Sequence, residues 1–503
     1  MMGKQEFAPK LYYQLSLDRL VPQDHLLRQI ATAVDFSFVY PLAKPHYSHT
    51  GQPSVDPVVI FKTMLIGYLY GITSERRLMG ELQVNLAYRW FLGYDFDEVI
   101  PDHSVLTKAR SRLGMDVFEK FFERSIKICA EAGLLDEGPV YVDSTHVGAA
   151  ASLESLVKRE EAVRPPIPVK DYIRKVYKDN PVPEGEGDDT SSPTTNNKTP
   201  ERESTTGLDC YTKKQSHGKK NEEYVSRTDP EATIIHNIRG GLRLAYKAHV
   251  AVSGKRGLVV TAAIATTGIT GEEHLLNDVL RCHTRHTGMQ VKEAVADTRY
   301  GMLANYVSLD QAGITAFIPP HERTNGINGF WGKDHFRYVP EQNTYICPAG
   351  KTLKPFGMCE GKKRVAYRCE HGTCQVCQLS KRCTPYGNSR KITRFVDQRL
   401  VEEARERLEN PAGKELMRQR KIRIEGIFAL GKELHGLRRT RLMGRWKVQI
   451  QLWLTATVIN LKRAVKELTN RLDGVHPGSN GGNSCSPIAI MIEARIIAFI
   501  TAN

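Results

Sequence analysis

No uncharged run of eighteen or more residues occurs anywhere in this 503-residue chain, so no membrane-spanning helix is expected. The closest approach, SPIAIMIEARIIAFITAN, is interrupted by Glu493 and Arg495 and reads as a packed helix or a tail. The opening stretch MMGKQEFAPKLYYQ lacks an apolar segment and a small-residue cleavage site, so no secretory leader is expected. Acids are in short supply: 56 Asp and Glu stand against 71 Lys and Arg, a net charge of +15. Such an excess favours a polyanionic partner, nucleic acid before membrane, because each neutralised phosphate releases counterions. Ten cysteines in a long, intracellular-looking chain do not suggest a disulfide framework, although six of them crowd between 347 and 383. Neither a Ser/His/Asp nor a Cys/His spacing offers a protein nucleophile. What remains is an ordinary globular composition, 41% hydrophobic and 25% charged, long enough for two to four structural units.

Residues 1–135 read as helical. DPVVIFKTMLIGYLYG starts on an Asp cap at Asp56 and is apolar on most faces, as a buried helix is. SERRLMGELQVNLAYRWFLGY follows with Ser74 as cap and an apolar stripe through Leu78, Leu82, Leu86 and Trp90. PDHSVLTKARSRLG is a short helix presenting Lys108, Arg110 and Arg112. Short helices with a basic last member resemble a helix-turn-helix arrangement, and a solvated basic face fits the same pattern equally well. Residues 155–228 contain too few apolar side chains to offset the entropy of ordering and read as a low-complexity insertion.

Two segments carry the chemistry. In GPVYVDSTHVGAA an apolar, β-branched run ends on Asp143, and in VKEAVADTRYG a second strand ends on Asp297 before a polar turn. One strand-end Asp is a common turn cap. Two at equivalent strand ends favour a shared site at the C-terminal mouth of a central sheet, where open α/β sheets place their ligands. A third acid, Glu425, lies within GKELMRQRKIRIEGIFALGKELHG, a helix beginning beyond Pro411 and stopping at Gly436. Glu425, Phe428, Lys432, His435 and Arg439 follow one stripe if the helix runs that far, with Ile424, Ile427 and Leu434 on a neighbouring apolar face. Glu425 and Lys432 are about 10 Å apart along the axis, which suits an acid on a metal and a cation on a phosphate. A solvent-facing Glu425 paired with Lys421 would be the structural alternative. From Lys414 to Lys447 eleven basic residues face only three acids, and a basic track through Lys432, Arg438, Arg439 and Arg441 is expected to meet phosphates.

YVDSTHV, AVADTRYG and IEGIFALGK, in that order, resemble the three acidic motifs of bacterial insertion-sequence transposases with a DDE catalytic triad. The Glu followed by six residues and a Lys is the more discriminating of these signatures. FKTMLIGYLYGITSERRL, PDHSVLTKAR, SRTDPEA and GRWKVQIQLWLTATVINLKR are similar to other segments of the same group, so the resemblance covers roughly residues 10–470. It implies an α/β chain with a ribonuclease-H-like catalytic core preceded by a helical N-terminal domain. Asp143, Asp297 and Glu425 would bind two divalent ions, Mg²⁺ or Mn²⁺, and Lys432 would contact DNA near the transposon end. Lys421 stands where such families carry Arg and loses a bidentate fork, so Arg420 or Arg423 is left open for that role. Three carboxylates suit hard cations that want oxygen ligands, and two ions suit in-line phosphodiester displacement.

The implied partners are double-stranded DNA (terminal inverted repeats and target) and a second copy of the chain, in the bacterial cytoplasm at the nucleoid. The implied organisation is 1–135 helical and DNA-binding, 136–154 and 229–330 the first part of the core, 155–228 the insertion, 331–395 a Cys-rich insertion, 396–474 the last core helices, and 475–503 a tail. Within the Cys-rich segment Cys374 and Cys377 form a C-x-x-C pair. Cys347, Cys374, Cys377 and Cys383 are the best four zinc ligands, a set the family pattern also suggests, with Cys369 and His371 as competitors. Reduced thiols packed in a small β insertion are the alternative. A domesticated or inactive relative that only binds DNA would share most of these features, as would a zinc-stabilised regulator.

Overall fold

A computed structural model of the chain describes residues 15–48, 50, 54–162, 219–236, 241–254, 259–321, 330–359, 363–384 and 389–473. The middle of the low-complexity segment, residues 255–258 and the tail are among those outside the described residues. The N-terminal helices are α1 (Leu26–Ala33), α2 (Pro57–Leu69), α3 (Glu75–Val84), α4 (Leu86–Leu92) and α5 (Ser104–Glu131). Asp56 caps α2 by accepting from the Val58 amide at 2.7 Å, with Pro57 in the first turn, and the helix is buried on nearly every face. Phe61 stacks on Phe121 with ring centroids 4.6 Å apart and also meets Phe118, so its loss to Ala costs about 3–5 kcal/mol. The expected single helix from Ser74 to Trp90 is two. Asn85 accepts from the amides of Ala87 and Tyr88, caps a new helix, and leaves Leu86 exposed. Helix α5 is broken at Gly114, whose φ of 69° favours glycine, so the basic segment and the following apolar one are separate helical pieces.

The strands are β1 (Val140–Gly148), β2 (Leu156–Lys158), β3 (Tyr224–Ser226), β4 (Thr233–His236), β5 (Leu242–Ser253), β6 (Val259–Thr267), β7 (Glu293–Val295) and β8 (Thr315–Phe317). β2 and β3 pair with each other, so the flanks of the low-complexity segment return to one place. The main sheet centres on β1 and β5. β6 and β4 pair antiparallel with β5, β5 pairs antiparallel with β1, and β1, β7 and β8 run parallel. Helices α6 (Leu276–Thr287), α7 (Leu303–Gln311) and α8 (Gln398–Glu409) cover one face with Val140, Val142 and Ala251. Tyr141 and Val147 look to the other face, where α9 (Pro411–Leu434), α10 (Arg445–Asp473) and the N-terminal helices share one core. This alternation is the two-residue period of a strand buried on both sides.

Helix α10 closes the outer side of β6 with side-chain amides. Asn460 both donates to and accepts from the Val260 backbone at 2.9 Å, and Gln449 does the same for Ala263 and Ala265. A buried strand edge is thereby satisfied without another strand. Between β8 and α8, strands β9 (Arg337–Val339), β10 (Thr344–Ile346), β11 (Thr352–Cys359), β12 (Arg364–Arg368) and β13 (Lys391–Phe395) form an antiparallel sheet. Its own small core includes Phe336, Tyr345, Leu353, Tyr367 and Ile392.

Candidate active site

The parallel register of β1 and β7 brings the two acids together. Tyr141 pairs with Val295, so two residues further on Asp143 and Asp297 stand side by side. Asp297 lies just past the end of β7, as expected. Asp143 does not end its strand: β1 runs on to Gly148, held in register by β5, with Asp143 opposite Val250. Each is held by a local amide: Asp143 Oδ1 accepts from Ser144 N at 2.7 Å, and Asp297 Oδ1 accepts from Arg299 N at 3.0 Å. Asp297 is therefore also the cap of a short 3₁₀ turn, Thr298–Tyr300. The capping and the site-forming readings both hold for it. Burial pushes the Asp143 carboxyl up to about 6, helped by Asp297 and Glu272 and opposed by the Ser144 amide and Arg420. Asp297 is raised as well, by burial first and then by Glu272.

Glu272, which the sequence reading missed, is the third acid at this end of the sheet. It opens a 3₁₀ turn after β6, and its side chain is only 6% exposed. Its Oε1 accepts from Ser144 Oγ at 2.7 Å and Arg299 Nη1 at 3.3 Å, and pairs with Lys247 Nζ at 2.7 Å. Burial alone would raise this carboxyl; Lys247, Ser144 and Arg299 hold it below its ordinary value. A signal was present in LRLAYKAHVAV, where Lys247 interrupts an apolar strand. A cation buried there needs an acid nearby.

Helix α9 runs along the Tyr141 face of β1 and parallel to it. Tyr141 Oη donates to Gln419 at 3.3 Å and accepts from Arg423 at 3.1 Å, Arg420 Nη1 lies 2.7 Å from Asp143 Oδ2, and Lys432 Nζ donates to Thr145 Oγ1 at 2.6 Å. Lys432 thus stands level with Thr145. Glu425 lies between these contacts, five residues after Arg420 and seven before Lys432. It shares the Lys432 stripe, two turns earlier. Its side chain is exposed and makes no hydrogen bond or ion pair among the described residues. Two acids of the expected triad are adjacent; the third stands exposed on α9, and no contact joins it to them among the described residues.

Several basic residues are placed differently from the expectation. Arg110 is buried and paired with Glu75, so it faces inward and not DNA; Lys108 and Arg112 are exposed, the latter with its guanidinium 4.9 Å from the Tyr47 ring centroid. Arg439 is exposed but donates Nε to the Ala149 carbonyl at 2.9 Å, and Arg438 pairs with Glu433. Arg441 does not continue the track. It lies 3.7 Å from the Tyr68 ring centroid and donates to the carbonyls of Ile72, Gly67 and His435. His435 is buried against the Tyr68 carbonyl, while Leu434, expected on the apolar face, is exposed.

Cys347, Cys369, Cys374, Cys377 and Cys383 line one cavity with Trp331, and His371 is not among its lining residues. Cys347 Sγ accepts from Lys351 N at 3.3 Å. Burial pushes the Cys369 thiol up to about 12, with Cys374 adding to the rise, and raises Cys383 as well. Among the described residues, no three His, Cys, Asp or Glu side chains are grouped so as to hold a metal ion as placed. The acids nonetheless fit a hard divalent cation. They supply oxygen donors only, and the raised carboxyls of Asp143 and Asp297 lie where a positive charge relieves the strain of burying them together.

Residues 15–112 match the family model described as a transposase domain (DUF772), and residues 346–465 match the transposase DDE domain. The second match contains Glu425, Lys432 and the five cysteines of the cavity and begins beyond Asp143 and Asp297. No curated protein matches the chain. Among the described residues no helix is long and apolar enough to cross a membrane.

Proposed function

We propose that this chain, which matches two transposase family models, is an insertion-sequence transposase of the DDE type that cleaves DNA and transfers strands, with Asp143, Asp297 and Glu425 as its catalytic acids. The observation that carries this reading is the parallel register of β1 and β7, which sets Asp143 beside Asp297. The sheet order, antiparallel from β6 through β5 to β1 and then parallel to β7 and β8, supports a ribonuclease-H-like core. Asp143 and Asp297 have their rotamers fixed by the Ser144 and Arg299 amides, so each carboxylate is aimed before a ligand arrives. Glu425 would complete the set from α9, the helix whose Arg420 already reaches Asp143.

Two divalent ions, Mg²⁺ or Mn²⁺, would be held by these acids and would supply charge stabilisation for the attacking and leaving oxygens. Lys432 places a phosphate next to the scissile one, and Arg420 offers a second contact. Arg420 Nε is buried with no hydrogen-bond partner among the described residues, a donor without an acceptor beside the acids. Lys108, Arg112 and Arg439 extend the DNA surface, on double-stranded transposon ends and target DNA in the bacterial cytoplasm, with a second copy of the chain on the paired ends. Cys347, Cys374, Cys377 and Cys383 line one cavity and are the residues that would hold a structural zinc ion, once drawn closer together than they stand here. Cys369 lines the same cavity and competes for that role.

The test is strand cleavage of a transposon-end duplex with Asp143→Asn, Asp297→Asn and Glu425→Gln proteins. Each should lose Mg²⁺-dependent cleavage while still shifting the duplex in a binding assay. Full cleavage by any one of them removes that residue from the triad.

A further inference from the structure

The most heavily connected side chain at the acidic end of the sheet is Glu272. Its partners come from three separate elements: Ser144 on β1, Lys247 on β5, and Arg299 in the turn after β7. Ser144 directly follows Asp143, and Arg299 is two residues past Asp297. Lys247 Nζ also donates to the Thr270 carbonyl at 3.2 Å, so it clasps the loop that carries Glu272 at two points. Both side chains of the Lys247–Glu272 pair are 6% exposed. A pair buried to that degree contributes little net stability, because desolvation of both charges offsets their attraction, and apolar residues of similar volume would serve the fold as well. Position explains it better. The carboxylate lies behind Asp143 and Asp297 and reaches the residues that orient both.

We infer that Glu272 is a positioning residue for the strand-cleavage reaction: by binding Ser144 and Arg299 through one oxygen, it fixes the separation of Asp143 and Asp297. This rests on the assignment of those two acids as metal-holding residues. The Lys247 link is buried and the Ser144 link part-buried, and these two carry most of the effect. Arg299 is 64% exposed, so its link is screened and weaker. Glu272 touches no reacting atom. It acts through the backbone geometry of its two neighbours, as outer partners of metal ligands commonly do.

The experiment titrates Mn²⁺ calorimetrically into full-length protein in the absence of DNA, with melting temperature recorded for each variant. Asp143→Asn comes first: if it binds Mn²⁺ as well as the unaltered chain, the metal-site assignment itself is wrong. If Asp143→Asn loses binding, Ser144→Ala and Glu272→Gln should each weaken Mn²⁺ affinity by about tenfold, within the range typical of outer-partner losses. Ser144→Thr, which keeps the hydroxyl, should restore most of that loss. Ser144→Ala tests the link even if Glu272→Gln fails to fold, since it leaves the Lys247–Glu272 pair intact. Unchanged affinity in Ser144→Ala, or equal weakening in Ser144→Ala and Ser144→Thr, overturns the inference.

Discussion

Arg420 Nη1 lies 2.7 Å from Asp143 Oδ2, so a guanidinium occupies one oxygen of the first of the paired acids. A divalent ion that binds Asp143 through this oxygen competes with Arg420 for it. Arg420→Gln removes the competing charge, and Mn²⁺ affinity at pH 8 should rise by roughly tenfold, the worth of one charge-assisted hydrogen bond. Calorimetric titration of the variant measures this. Weaker binding would mean that Arg420 orients the carboxylate more than it blocks it.

The raised carboxyl of Asp143 ties stability to pH. Its value rises from 3.8 to about 6 on folding, chiefly through burial. An acid raised in the folded state costs nothing below its unfolded value. The cost accumulates between about pH 4 and 6 and is complete above that, reaching about 3 kcal/mol. Asp143→Asn should therefore melt higher than the unaltered chain at pH 8 without metal, and the difference should vanish near pH 3.5. A melting-temperature series with EDTA present checks both the sign and the window. Metal binding should weaken as pH falls through 6, because the protonated acid is a poor ligand.

Three basic residues of one helix should separate into two classes. Arg110 is buried against Glu75, and Arg110→Ala leaves that acid unpaired in a poorly solvated place, destabilising the chain by about 3 kcal/mol. Lys108 and Arg112 are exposed, so replacing both with Ala should change the melting temperature little. Their loss should instead make DNA binding less salt-dependent, by about 0.9 in the log–log slope for each phosphate contact removed. Denaturant unfolding and binding isotherms at several salt concentrations distinguish the two effects.

The strand end before Asp297 was legible because an apolar run that gives way to an Asp and a polar, Gly-containing turn has few structural solutions. The one expected at Asp143 was not there: β1 continues through Ser144–Gly148 because backbone pairing with β5 holds it extended whatever the side chains are. The Glu425–Lys432 stripe was legible because helical periodicity survives any tertiary arrangement. The inward turn of Arg110 was not, since a charge pattern cannot say which member of a basic triplet finds a buried acid. The split at Asn85 was missed because the apolar stripe runs on through it, while the cap depends on one side chain. Gln449 and Asn460 look like ordinary polar helix positions until β6 is placed against them. Glu272 was missed for the same reason: its partners lie on strands distant in sequence.

Lys432 offers the sharpest separation of a DNA clamp from a structural strut. Its ammonium is half-buried, and its pKa is lowered by burial first and then by Arg243 and Arg438, with Glu433 the opposing charge. A cation held in that surplus of positive charge gains from an arriving phosphate. Its hydrogen bond to Thr145 Oγ1, at 2.6 Å, is the competing explanation, because it joins α9 to β1. Lys432→Met keeps the aliphatic stem and removes the charge, whereas Thr145→Val keeps the shape and removes the acceptor. If Lys432 holds DNA, Lys432→Met should lose most strand cleavage at the transposon end, with melting reduced by about 1 kcal/mol or less. Thr145→Val should then retain most cleavage, since the ammonium is left free for phosphate. Equal losses of cleavage in the two variants, accompanied by equal losses of stability, would identify the Lys432–Thr145 bond as a strut.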